Sequence, residues 1–222
     1  MTPTLLETST PEGEWDLYDR IADALAGPGY IRLGYVVPED IYAHLIRRSR
    51  QLKRCGAYRR AGVGRDREYR LSGKVRGDGI HWLRRDQWLE AGYLDWMETM
   101  RLELNRRLFL GLFDYEAHFA LYRPGAFYRR HLDAFRGQSN RRVSTVLYLN
   151  SDWSEHDGGE LLIYPEHGDS AIERVLPNHG VMLVFLSEQV PHEVLPARRD
   201  RFSIAGWFRI NASLSERVDP AR

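Results

Sequence analysis

Hydrophobic positions recur along this chain in two rhythms, and the change between them divides it. In the first half, Leu17, Ile21 and Leu25 share one helical face, which Gly27-Pro28-Gly29 ends, and Tyr30 to Val37 then reads as a strand. A second helix is expected after Pro38, with Ile41 and Leu45 turned inward. The longest pattern runs from about Asp86 to Phe109, where Leu89, Tyr93, Met97, Met100, Leu104 and Leu108 return at helical steps and predict a supporting helix. Beyond Gly111 the period shortens. Ala117 to Tyr122, Val143 to Asn150, Glu160 to Tyr164, Val181 to Phe185 and Ser203 to Ile210 are short runs rich in β-branched and aromatic residues. Turn-forming Arg123-Pro124-Gly125, Asp157-Gly158-Gly159 and Pro177-Asn178-His179-Gly180 separate them. Strands following a helical half predict an α+β protein: a β-sandwich or barrel over 111–212, with supporting helices from 15–110 packed outside it.

Between the halves, Tyr58 to Ile80 is rich in Gly and Arg and poor in large aliphatics, which predicts a long mobile loop or hairpin. Residues 1–14 and 213–222 are expected to be loose tails, leaving 15–212 as one domain of ordinary size. No apolar run approaches the roughly 20 residues that span a bilayer, and Glu7, Glu12 and Glu14 do not suit a secretion signal, so a cytoplasmic protein with no membrane partner is expected. Cys55 is the only cysteine. It excludes an intrachain disulfide and any thiolate-rich metal site, and is expected to be a small buried hydrophobe. The formal net charge of +1 excludes nucleic-acid binding by the molecule as a whole. A local basic cluster remains (Arg59, Arg60, Arg65, Arg67, Arg70, Lys74 and Arg76), interrupted by Asp66, Glu68 and Asp78, and such a charge run is ordinarily a solvated face.

The candidate chemistry lies in the second half. His131 and Asp133 are two residues apart, so an extended backbone turns both to one side. His192, in Val190-Pro191-His192-Glu193-Val194, reaches them if the strands close a barrel. Two imidazoles and one carboxylate that leave other coordination positions open suit non-haem iron(II) and oxygen chemistry. A lone His-x-Asp pair is more often an ordinary hydrogen-bonding pair, and Arg201 adds the weight. It begins the run Phe202 to Phe208, where a buried guanidinium needs a counter-anion and its planar fork matches a carboxylate. Two sources of that anion stay open, a dicarboxylate co-substrate and an internal Asp or Glu. Tyr128, Tyr148 and Trp207 also read as core aromatics, and His118, His156, His167 and His179 as loop or hydrogen-bonding residues.

Several of these segments together resemble the 2-oxoglutarate oxygenases: Tyr122-Arg123-Pro124-Gly125, His131-Leu132-Asp133, Leu147-Tyr148-Leu149-Asn150 with Trp153, Gly158-Gly159, Ile163-Tyr164-Pro165-Glu166, Pro191-His192-Glu193-Val194, and Arg201 to Phe208. Within that family the likeness is to prolyl hydroxylases related to the animal hypoxia-sensing enzymes and to their bacterial counterparts. It covers about Ala117 to Ile210, and Val75 to Trp82 also resembles the sequence that closes the finger loop of those enzymes.

The resemblance implies a double-stranded β-helix (jelly-roll, cupin-like) core and iron(II) held by His131, Asp133 and His192. It implies 2-oxoglutarate anchored by Arg201 and Tyr148 with Tyr122 close by, O2 as the other co-substrate, and ascorbate as a reductant. Arg76, Asp78, Arg141 and Trp207 become the candidates to meet substrate, with Asp78 latched to Arg141. The implied reaction couples decarboxylation of 2-oxoglutarate to succinate with hydroxylation of a proline in a protein loop. The bacterial relatives suggest elongation factor Tu as that protein, and a monomeric enzyme is expected. Ala205 and Gly206 stand where the animal enzymes carry bulkier residues, and the loop before His131 is one residue shorter; both bear on pocket size and substrate. The competing readings are a hydroxylase of a free amino acid or other small molecule, a nucleic-acid demethylase, and a non-catalytic metal-binding module.

Overall fold

The computed structural model describes residues 16–61, 75–134 and 139–211; the expected tails and the tip of the finger at 62–74, including Arg65, Arg67, Arg70 and Lys74, lie outside the described residues. Helix α1 (Leu17–Ala26) starts at Asp16, whose carboxylate accepts from Tyr18 N, and stops at Gly27. Strand β1 (Tyr30–Gly34) is shorter than the apolar pattern suggests because Tyr35 turns to φ 54°. Helix α2 (Glu39–Arg54) buries Tyr42, Leu45, Ser49 and Leu52. Tyr42 takes the inward place expected for Ile41, which is only partly buried, because its hydroxyl finds partners inside: it donates to Tyr148 O at 2.6 Å and accepts from Gly180 N at 2.9 Å. Cys55 is exposed rather than buried, since it caps α2 on the way into Gly56 at φ 63°. Helix α3 (Trp88–Leu108) buries Leu89, Tyr93, Met97, Met100 and Leu104 and ends at the left-handed Phe109. Among the described residues no helix is long and apolar enough to cross a membrane.

The strands in chain order are β2 (Arg59–Arg60), β3 (Gly79–Trp82), β4 (Leu112–Tyr122), β5 (Tyr128–His131), β6 (Arg141–Tyr148), β7 (Leu161–Ile163), β8 (Glu173–Val175), β9 (Val181–Leu186), β10 (His192–Val194) and β11 (Arg201–Ile210). They form two antiparallel sheets, a major one in the order β1-β9-β6-β11-β4-β3-β2 and a minor one in the order β5-β10-β7-β8. From β4 onward the chain passes back and forth between the sheets, with only β7 and β8 staying together in the minor one, as in a double-stranded β-helix. The finger's base is a hairpin in which Arg59 and Arg60 pair with Ile80 and Gly79.

Strand alternation assigns each face of the major sheet. Ile204 and Phe208 of β11, with Phe119, Val143, Leu147, Met182 and Val184, pack under the three helices. On the opposite face, Val146, Tyr148, Leu183 and Phe185 meet Leu161, Ile163 and Val175 of the minor sheet. Gly206 belongs to the helix side. A Cβ there would lie 2.0 Å from Tyr115 Oη, which bonds Thr145 Oγ1 at 2.7 Å and Tyr93 Oη at 3.3 Å. The glycine therefore makes room for a buried hydroxyl chain in the core and does not set the size of the site.

Candidate metal centre

β5 and β10 are neighbours in the minor sheet, and their register sets His131 directly opposite His192. Asp133 follows in the bend just past β5, and one ligand atom from each of the three residues lies within 4.8 Å of the others. Asp133 Oδ1 is 3.4 Å from His131 Nε2 and 3.8 Å from His192 Nε2. The other ring nitrogens are engaged: His131 Nδ1 lies 2.7 Å from Arg129 O, and His192 Nδ1 lies 3.0 Å from Val190 O. A carbonyl can only accept, so each Nδ1 donates to it, and each Nε2 faces the carboxylate. Burial, reinforced by His131, lowers the His192 pKa to about 4. Burial disfavours ionisation of Asp133, but His192 and His131 outweigh it and hold its carboxyl well below the usual range. The cluster offers two imidazoles and a carboxylate, the donor set that suits a divalent transition metal with open positions.

Arg201 opens β11 and is 1% exposed. Its Nε donates to Gly159 O at 2.8 Å and its Nη1 to Ser203 Oγ at 3.4 Å. Among the described residues no carboxylate pairs with it, and its Nη2 and the Tyr148 hydroxyl are both buried without a hydrogen-bond partner. The rings of Tyr122 and Tyr148 each lie 4.9 Å from the guanidinium. Burial, against the pull of Arg201, pushes Tyr148 up to about 12, so its hydroxyl stays a neutral donor. Gly159, at φ 71°, is required beneath this group, because a Cβ would come within 2.9 Å of Ala197 Cβ and 3.1 Å of Arg201 Cδ. Of the two anion sources open from sequence, an internal acid is not found as the partner among the described residues. A buried guanidinium Nη2 and a buried hydroxyl that both lack an acceptor fit the distal carboxylate of a dicarboxylate.

The candidates for substrate contact cluster at the finger's base and the far end of β11. Asp78 is buried and grips Arg76 in bidentate fashion at 2.7 and 2.5 Å. The expected Asp78–Arg141 latch is therefore corrected: Arg76, two residues before Asp78, takes the carboxylate, while Arg141 bonds Glu116 Oε1 at 2.8 and 3.1 Å and lies 3.5 Å over the Trp207 ring. His118, read from sequence as a loop or hydrogen-bonding residue, is buried in β4 between Trp82 at 5.2 Å and Trp207 at 5.3 Å. Glu116 and His118 share strand parity with Tyr122, which is the signal that places them on the site face.

His118 also supplies a pH test. Burial first, then the charges of Arg76 and Arg141, lowers its pKa from 6.5 to about 4. The unfolded chain binds this proton more readily, so stability present above pH 6.5 is lost as pH falls toward 4, about 3 kcal/mol in all. His192 titrates in the same window, so the difference between wild type and His118→Gln in denaturation curves at pH 7 and pH 5 isolates His118. An identical pH slope in the variant would show that its ring does not carry this linkage.

Comparisons with known proteins agree with this geometry. Residues 117–209 match the 2OG-Fe(II) oxygenase superfamily, where 2OG is 2-oxoglutarate. Egl nine homolog 1 of Rattus norvegicus is 38% identical over 86 residues, covering 38% of this chain and 25% of that protein, so the chain spans about a quarter of the curated relative's length. A PKHD-type hydroxylase of Maricaulis maris is 34% identical over 100 residues, 44% of this chain and 42% of that one. A prolyl hydroxylase from Trichoplax adhaerens, solved with a hypoxia-inducible-factor peptide, shares the fold with a TM-score of 0.76 at 24% identity, over 90% of this chain and 94% of that one. The crystal structure of a Pseudomonas putida prolyl-4-hydroxylase is 41% identical with a TM-score of 0.75, covering 88% of this chain and 100% of that one. With a relative of that identity matched over its whole length around a His-Asp-His cluster and an open arginine cradle, this chain belongs to the 2OG-Fe(II) oxygenase superfamily.

Proposed function

We propose that this protein is an iron(II)- and 2-oxoglutarate-dependent peptidyl-prolyl hydroxylase that acts on a protein loop, with elongation factor Tu as the first substrate to test. The observation that carries the prolyl assignment is the 41% identity to the Pseudomonas putida prolyl-4-hydroxylase over that chain's full length. In this reading His131, Asp133 and His192 hold iron, and Arg201 with Tyr148 holds the distal carboxylate of 2-oxoglutarate beside Tyr122. The site face of β11 beyond Arg201, with Trp207, Arg141 and the Arg76–Asp78 pair, receives the peptide. Iron and 2-oxoglutarate, when bound with O2, supply the oxidation of an unactivated C–H bond, which no side chain can perform. The chain's own work is orientation. The two Nδ1–H bonds fix the imidazoles, the Arg201 fork aligns the carboxylate, and the Tyr122 and Tyr148 rings wall the cradle from water.

Purified enzyme supplied with iron(II), 2-oxoglutarate, ascorbate and elongation factor Tu is expected to form succinate and to add one oxygen atom to a proline, read by peptide mass spectrometry. Oxidation of a proline in another protein would replace the substrate and keep the class. Succinate formation stimulated only by a free amino acid would favour the small-molecule hydroxylase. Arg201→Lys keeps the charge and loses the planar fork, so it is expected to raise the KM for 2-oxoglutarate about tenfold or more with little change in the iron requirement. Tyr148→Phe acts in the same direction by a smaller factor. Wild-type titrations of 2-oxoglutarate by both variants would move the carboxylate anchor elsewhere.

A further inference from the structure

We infer that Tyr128 is a positioning residue for the metal ligand His131, and that through Arg76 and Asp78 it ties the base of the finger to the metal centre. The inference rests on the metal-binding reading above. In a regular strand, residues three apart face opposite sides. Here the pairing of β5 with β10 shifts register between His192–His131 and Val194–Tyr128, so β5 carries one extra residue, and this bulge brings Tyr128 to the side of His131. The two rings stack nearly parallel, with centroids 3.5 Å apart at 16°. On the Tyr128 ring lies the Arg76 guanidinium at 4.5 Å, itself held by the buried Asp78 carboxylate.

The backbone repeats the connection. Arg76 bridges Tyr128, Arg129 N donates to Val75 O at 3.0 Å, and Gly77 N donates to Phe127 O at 3.0 Å, so residues 75–77 run along β5 of the minor sheet. Immediately afterward β3 pairs with β4 of the major sheet, and Asp78 O accepts from Ala61 N at 3.0 Å on the opposite arm of the finger. Asp78 is thus the corner at which the finger's two arms and the two sheets meet.

The other histidine ligand is supported differently. His192 packs edge-on against Phe185 at 4.8 Å and bonds Val190 O, all within the barrel. His131 depends on Tyr128 for its ring face and on Arg129 O for its Nδ1, both residues paired to the finger's arm. Disturbing that arm therefore loosens one imidazole and leaves the other in place. Groups that orient metal ligands typically alter metal affinity about 10- to 100-fold when removed.

The test is the dissociation of Co(II) from the full chain, followed by chelator competition and by the Co(II) absorption spectrum, with no turnover required. Tyr128→Leu is expected to release Co(II) about tenfold faster or more and to change the spectrum, whereas Tyr128→Phe, which keeps the stacked face, stays within about threefold of wild type. Arg76→Lys preserves a cation for Asp78 but removes the planar cap, and is expected to accelerate release by an intermediate factor; it also carries the test if Tyr128→Leu folds poorly. Wild-type release and spectra in both Tyr128→Leu and Arg76→Lys, or equal acceleration by Tyr128→Phe and Tyr128→Leu, would overturn the inference and leave the proposed function standing. Failure of the wild-type chain to bind Co(II) would instead overturn the metal-binding reading itself.

Discussion

Asp133→Ala is expected to reduce succinate formation to the assay background and to remove the stabilisation that a divalent metal gives the folded protein. The carboxylate oxygen lies within 3.8 Å of both imidazole Nε2 atoms, so it is the anionic member that two imidazoles cannot replace. Without metal, the variant's melting temperature should fall modestly, because the histidines hold this carboxyl below its usual range and the folded protein gains stability from the ionised form. With metal, the wild type should gain about 2.7 kcal/mol at a hundredfold excess over Kd, and the variant should gain little. Manganese or zinc serves for the melting experiment, since raw affinity does not select iron. His131→Ala and His192→Ala should behave alike. Undiminished succinate from any of the three would remove that residue from the ligand set.

The second large effect is on stability. Asp114→Ala should cost about 3–5 kcal/mol, because it leaves the guanidinium of Arg209, 1% exposed, without its bidentate carboxylate. The pair is set by register: β4 and β11 place Asp114 directly opposite Arg209. Among the described residues, Glu116 Oε2, 3.9 Å from Arg209 Nε, is the nearest alternative anion, and the same carboxylate already binds Arg141 through Oε1. The double variant Asp114→Leu/Arg209→Met should recover much of the loss, since a buried ion pair can be exchanged for apolar packing at small net cost. Urea denaturation of the single and double variants measures this. A loss under about 1 kcal/mol in the single variant would mean that Glu116 takes over Arg209.

The parts of this molecule most legible in sequence were those where one residue type has few other uses. His131, Asp133, His192 and Arg201 are poor core residues; the end of β5 and the start of β10 bring the first three together, and Arg201 starts β11. Helix α3 was legible because its apolar spacing repeats over many turns. Strands of two to four residues, such as β2, β3, β5, β8 and β10, are too short to show alternation. The partner of Asp78 was hidden because it depends on Glu116, distant in sequence, already engaging Arg141. The bulge in β5 could not be read either: it exists only as a mismatch between two strands distant in the chain.

Strand β11 serves two masters along one length. Arg201, Ser203, Trp207 and Arg209 are buried on the site side, while Ile204 and Phe208 are buried beneath the helices. Inserting or deleting a single residue within it would exchange these faces, carrying a guanidinium into an apolar core and an isoleucine into the cradle. The scaffold's freedom to diverge is correspondingly narrow here. New substrates must be acquired by replacing side chains in place, at positions such as half-buried Ala205, while changes of length are confined to the connections between strands.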